Sequence, residues 1–354
     1  EGASFVTEDG VSTVTFEDLF TDNADSALAE TVDFGSDLQT EKMEIGVSPH
    51  GRFVTGYERG TREIYLLDNV NDTLTTLNMV DVGILNLANG KTEGGVADGD
   101  EDAGVEESDQ EATPITEGAI SQVSIAPSGE FALVSIPEPG MVLKVEIPDG
   151  FDNDNLDTIV ALVENEANDT AVIDPEEKTA LIFDRAGRGN YLNIVDLVNP
   201  EPKSRRVRLA GPVDEIHYAP GGDAALIIHN SQGAPWERKA KGFSVLAVER
   251  GGTKFNATSV QPGSFFFSTE AGAIFMLLRD DALGTRQLLR VSLDSLLVEP
   301  IDLERRPRGL TVISSLDRLL VDYEHPDGHI ELFDWTGAIT NSFARFQIVD
   351  RIKE

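Results

Sequence analysis

The chain has no cysteine among its 354 residues, so neither a disulfide nor a thiolate is available to its chemistry. Basic residues are scarce: 28 Lys and Arg stand against 63 Asp and Glu, for a formal charge of −35. Such a surface repels phosphates over most of its area, which argues against nonspecific binding to DNA or RNA. Aromatic residues make up only 7% of the chain. No apolar run approaches the roughly 20 residues that a membrane-spanning helix needs. The histidines His50, His217, His229, His325 and His329 show no HExxH spacing, and no G-x-S-x-G nucleophile turn is present. These absences weigh against catalysis, and the histidines read as turn or core residues. Apolar content, by contrast, is 40%, enough for a real core.

That apolar content is distributed as a repeat. Six times an apolar stretch runs into a turn rich in Pro, Gly or Ser and then into a second apolar stretch. IGVSPHGRFVTGY (Ile45 to Tyr57), VSIAPSGEFALVSI (Val123 to Ile136) and IHYAPGGDAALIIH (Ile216 to His229) show it most clearly. Aligned at Pro49, Pro127, Pro175, Pro220, Thr269 and Ser315, the turns are spaced by 78, 48, 45, 49 and 46 residues. The first interval is long by about the length of the acidic segment after Val80, and without it the period is even.

Within each unit the apolar residues come in short β-branched or aromatic runs bounded by turn residues, the pattern of strands. Unit one reads as strand A (Met43 to Ser48), strand B (Arg52 to Tyr57), strand C (Glu63 to Asp68) and strand D (Thr73 to Asn78). Four strands in about 45 residues is the spacing of a β-propeller blade. The expectation is therefore an all-β propeller of four-stranded blades over residues 43–354, with a disordered acidic insertion at about 90–118. Residues 1–42 add strand-like SFVTEDGVSTVTF (Ser4 to Phe16) and LAETVDF (Leu28 to Phe34), and the C-terminus adds SFARFQIV (Ser342 to Val349). Seven blades are favoured, the last closed from both termini, with six blades and an N-terminal extension as the alternative.

The S-P-x-G turn followed by an apolar strand, and then by a strand ending in Asp, resembles the YVTN and WD40-like propeller families between Met43 and Phe346. The blades carry neither an opening Gly-His pair nor a closing Trp-Asp, so the likeness is to the looser bacterial type. The resemblance implies that D-to-A and B-to-C loops share the top face, and A-to-B and C-to-D loops the bottom.

Read on that plan, the B-to-C loops gather basic residues: Arg59 and Arg62 in blade one, Arg185 and Arg188 in blade three, and Arg238, Lys239 and Lys241, beside Trp236, in blade four. Arg279 and Arg286 edge the loop of blade five, and its D-to-A connection holds Arg305, Arg306 and Arg308. Arginines so placed suit bidentate pairing with carboxylates or phosphates. The bland reading is that loops are solvated and these cations balance neighbouring acids such as Glu58, Glu63, Asp280 and Asp281. The insertion, Gly90 to Gly118, is anionic enough to fold back on a basic face or simply to solvate itself. A weak calcium candidate joins Asp149, Asp152, Asp154 and Asp157 in one hairpin, and no other cofactor is expected.

The chain opens at Glu1 without Met or a charged-then-apolar leader. The expectation is export to the periplasm, the outer-membrane surface or beyond, with a lipid anchor upstream of residue 1 as a variant. Function is expected to be that of a noncatalytic binding scaffold whose top-face loops take a protein or an acidic polymer. The alternatives are a metal-assisted propeller hydrolase or lactonase, and a structural subunit of a surface assembly.

Overall fold

The computed structural model describes residues 2–7, 10–15, 43–48, 50–79, 119–138, 140–151, 159–163, 168–187, 189–199, 202–229, 242–258, 261–280 and 285–345. Regular structure there is strand, apart from short 3₁₀ turns such as Asp149–Phe151 and Ser314–Leu316. An N-terminal hairpin pairs β1 (Gly2–Thr7) with β2 (Gly10–Thr15) as a separate two-stranded sheet.

Six four-stranded antiparallel sheets follow, each a meander of consecutive strands. The first holds β3 (Met43–Val47), β4 (Phe53–Glu58), β5 (Glu63–Asp68) and β6 (Thr73–Asn78). The second holds β7 (Gln122–Ile125), β8 (Phe131–Ile136), β9 (Met141–Glu146) and β10 (Val160–Val163). The third holds β11 (Thr170–Ile173), β12 (Thr179–Phe183), β13 (Tyr191–Asp196) and β14 (Ser204–Arg208). The fourth holds β15 (Val213–Tyr218), β16 (Ala224–His229), β17 (Gly242–Ala247) and β18 (Gly252–Ala257). The fifth holds β19 (Phe265–Ser268), β20 (Ala273–Asp280), β21 (Thr285–Ser292) and β22 (Val298–Asp302). The sixth holds β23 (Pro307–Ile313), β24 (Arg318–Tyr323), β25 (His329–Phe333) and β26 (Ile339–Ala344). The expected strand bounds of unit one agree with these to a residue. Ser342–Ala344 of the C-terminal stretch serve as the end of the sixth sheet's fourth strand.

Two compact units divide the chain: residues 1–173, 180–183 and 195–204 form the first, and residues 174–179, 184–194 and 205–354 the second. In each, second strands are more buried than the first strands that precede them. The second strands β8 and β16 are buried at every residue, while β26 is exposed at every residue. A strand with sheets on both its faces must be apolar on both, which is why FALVSI and AALIIH read as unbroken apolar runs.

Alternate residues of these strands point to different neighbours. In the first unit, Ala132, Val134 and Ile136 of β8 join Ile64, Leu66 and Leu77 of the first sheet. Phe131 and Leu133 join Ala180, Ile182 and Val195 of the third. In the second unit, Ile274, Met276 and Leu278 of β20 pack on Leu226, Phe243 and Val245, while Phe275 and Leu277 pack on Leu319, Val321 and Phe333. First strands of neighbouring sheets also meet: the Ala171 N–H donates to Gln122 at 2.8 Å, and the Ser124 hydroxyl donates to the Ala171 carbonyl at 2.9 Å.

The repeated turn has a backbone cause. The Gly129 N–H closes on the Ala126 carbonyl at 2.9 Å, and the Gly222 N–H on Ala219 at 2.9 Å. Pro127 and Pro220 lie just inside these turns, where their fixed φ fits. Gly129 and Gly222 take φ of 77° and 73°, the left-handed region that a side chain disfavours. Copies three and six place Glu177 (φ 60°) and Asp317 (φ 51°) there instead.

Phe275 is fully buried whereas Phe343 is 44% exposed on β26. Phe275→Ala is therefore expected to cost about 3–5 kcal/mol, and Phe343→Ala to stay within about 0.5 kcal/mol. Urea unfolding monitored by tryptophan fluorescence reads both.

Candidate functional site

Backbone hydrogen bonds between loops sort them into two ends within each unit. At one end the turn after a first strand meets the turn after a third: the Asn69 N–H donates to the Arg52 carbonyl at 2.8 Å, Ile147 to Glu130 at 2.7 Å, Val248 to Asp223 at 2.8 Å and Leu293 to Gly272 at 2.8 Å. At the other end the loop after a second strand meets the connection from one sheet to the next. There Ile120 donates to Thr61 at 2.8 Å, Leu209 to Asn190 at 2.8 Å, Leu303 to Arg286 at 3.0 Å and Glu324 to Arg306 at 2.9 Å. Loops of the B-to-C and D-to-A kinds thus share an end in both units.

In the first unit that end carries Arg59 and Arg62. The exposed Arg59 pairs with Glu44, a bond that raises its already high pKa. Glu44 also accepts the Tyr57 hydroxyl at 2.6 Å, and burial, with this carboxylate beside it, pushes the Tyr57 pKa up. Arg62 is half-buried and its carbonyl accepts the Met79 N–H at 2.8 Å.

The second unit carries most of the rest. Arg185 is exposed in the turn after β12, and Arg286 is exposed with one guanidinium nitrogen 3.5 Å from the Glu304 carbonyl. Arg279 of β20 stands opposite Arg286 of β21 in the strand register. Arg305 is half-buried. Arg306 pairs with Glu324 at 2.9 Å, and Arg308 lies 3.9 Å from Asp322. Ion pairs this exposed stabilise by about 0–1 kcal/mol, so their partners exchange at little cost. Arg188, Trp236, Arg238, Lys239 and Lys241 lie outside the described residues, as do Asp152, Asp154 and Asp157 of the calcium candidate. Asp149 starts the 3₁₀ turn after β9, and among the described residues no three acids or histidines gather as a metal site.

Arg308 forms part of the wall of a cleft of about 530 Å³, lined also by Asp322, Tyr323, Glu324, His325, Pro326 and Gly328. Beside it the Tyr323 hydroxyl donates to Glu331, whose other oxygen is 3.3 Å from His329 Nε2. Burial foremost, then this carboxylate, raises the Tyr323 pKa. His329 Nδ1 is buried without a hydrogen-bond partner. The hairpin role expected of His325 and His329 is present: the Gly328 N–H donates to the His325 carbonyl at 3.0 Å, closing the Pro-Asp-Gly turn. Their place beside Arg308 is not marked by any motif, although counting outward from the turn near Ser315 sets Arg308 opposite Tyr323, one residue from the Pro307–Tyr323 pairing that a bulge produces, and points to it. A second cleft of about 470 Å³ lies at the opposite end, between the fourth and fifth sheets. Its charged wall residues are Asp223, Glu249, Arg250 and Asp294.

His229 is a core residue, fully buried. Its Nδ1 lies 3.2 and 3.1 Å from the Gly211 and Pro212 carbonyls, which only accept, so Nδ1 carries the proton. Nε2 therefore accepts the Ser244 hydroxyl at 2.7 Å.

No family model and no curated protein sequence matches this chain. Solved structures match it in fold. A eukaryotic initiation factor aligns with a TM-score of 0.54 at 9% identity, over 98% of this chain and 74% of that one. Kuenenia stuttgartiensis hydrazine synthase aligns at 0.43 and 12% identity, over 82% and 76% of the two chains. Dihydro-heme d1 dehydrogenase NirN in complex with DHE aligns at 0.42 and 12%, over 97% and 72%. Identities this low speak to fold alone and identify no repeat family.

Desolvation lowers the His229 pKa below its ordinary value, against the upward pull of the Pro212 and Gly211 carbonyls. The unfolded chain then takes the proton first, so stability is retained above pH of about 6.5 and lost as pH falls below it. Urea midpoints measured between pH 7.5 and 5.5 are expected to fall, and His229→Gln to flatten that slope. Six consecutive four-stranded antiparallel sheets make the chain an all-β protein of the β-propeller class.

Proposed function

We propose that this β-propeller is a noncatalytic binding scaffold that recognises an acidic protein partner through the loop end shared by its B-to-C and D-to-A connections. One observation carries the reading. In a chain of charge −35, Arg286, Arg305, Arg306 and Arg308 come from two separate stretches to one end of the second unit. Guanidinium groups present a planar fork of donors that matches carboxylate oxygens two at a time. On a surface elsewhere anionic, a patch where cation and anion balance is the place an acidic partner meets least repulsion. The opposite end offers the contrary chemistry, since Asp223, Glu249 and Asp294 outnumber Arg250 in its cleft.

The test is capture of native-extract proteins on immobilised chain, with identification of what is held. Reversing Arg185, Arg286 and Arg305 to glutamate is expected to reduce captured partner at least tenfold, while Arg250→Glu at the opposite end leaves it unchanged. An unaltered set of partners after the triple reversal defeats the proposal.

A further inference from the structure

We infer that the cleft beside β24 is a carboxylate subsite, taking an acidic side chain of a polypeptide partner; this rests on the scaffold reading above and names its recognition chemistry. Two donors on the cleft wall have capacity for a ligand. The Arg308 side chain is 53% exposed, and its nearest carboxylate oxygen, on Asp322, stands at 3.9 Å, beyond hydrogen-bond reach. Its fork of five N–H groups is thus held near a carboxylate without being saturated by one. His325 supplies the second donor. The Asp327 N–H donates to His325 Nδ1 at 3.2 Å, so the neutral ring carries its proton on Nε2.

The remaining wall residues define what fits. Glu324 is neutralised by Arg306 at 2.9 Å. Glu331, next to the cleft, is occupied on both oxygens by Tyr323 and His329. Asp322 is the one acid on the wall that competes directly for Arg308, and its side chain is 17% exposed. A singly charged carboxylate displaces that loose contact and gains two parallel hydrogen bonds from the guanidinium. A phosphate dianion meets Asp322 with twice the charge of a carboxylate, and is disfavoured. The space, about 530 Å³, admits a side chain with its flanking backbone.

The measurement is isothermal titration of the full chain, in about 150 mM salt so that long-range repulsion is screened, with an acetylated and amidated glutamate-rich peptide. The glutamine analogue and inorganic phosphate are run in parallel. Saturable binding of the glutamate peptide is expected, with tenfold weaker binding or none for the other two. Arg308→Gln is expected to weaken it at least tenfold. Asp322→Asn is expected to tighten it several-fold, because the internal competitor loses its charge; this opposite sign decides the matter should Arg308→Gln fail to fold. Unchanged or weaker affinity in Asp322→Asn overturns the subsite, as does equal binding of the glutamine peptide or tighter binding of phosphate. If reversing Arg185, Arg286 and Arg305 abolishes capture while Arg308→Gln and Asp322→Asn change nothing, the subsite falls and the scaffold stands. If none of these variants matters, both fall.

Discussion

Burial of alternate side chains on opposite faces of one strand is the constraint from which this architecture follows. A lone four-stranded sheet rich in Val, Ile, Leu and Phe leaves two apolar faces in water, at a cost of roughly 25 cal/mol for each Å². Strand β20 shows the solution, its even-numbered residues from Ile274 to Leu278 covered by one neighbour and its odd-numbered residues from Ala273 to Leu277 by the other. Each sheet thereby needs the next. The paired turns at one end and the paired connections at the other are what that stacking leaves outside in each unit, and the candidate functional residues among the described ones lie there or at strand ends beside them.

The arginines acquire their meaning from the company they keep. Arg59 with Glu44 in the first unit, and Arg306 with Glu324 and Arg308 with Asp322 in the second, each set a guanidinium beside a carboxylate. Balanced pairs at the surface exchange easily. On the proposed scaffold reading, such an end discriminates by geometry, since an acidic partner must replace the oxygen that each paired guanidinium already faces.

How far the sequence was legible depended on whether a feature is local. The runs FALVSI and AALIIH announce buried strands because both faces demand the same residue type, and Pro127 with Gly129 announces a turn because its torsion angles do. Glu177 and Asp317 were harder, holding the left-handed position without glycine's freedom. The cleft was not read at all. Arg306 and Glu324 lie 18 residues apart, and loop-by-loop counting of charge treats them as strangers until strand register brings them together. The tautomers of His229 and His325 belong to the same category, since each is set by backbone groups that approach only on folding.

The burial gradient across each sheet, from the sealed second strands to the open β26, sets how much each strand can be rewritten. Inner strands admit few residue types, whereas outer strands and the connections after them admit almost any that still pair. Copies within one chain can therefore drift until SRRVR, GTKFNA, VEPID and ITNSFA share no visible motif while occupying the same place. A lineage built on such sheets loses its textual resemblance long before its shape. A likeness in fold at 9% identity shows how little of the wording that shape requires.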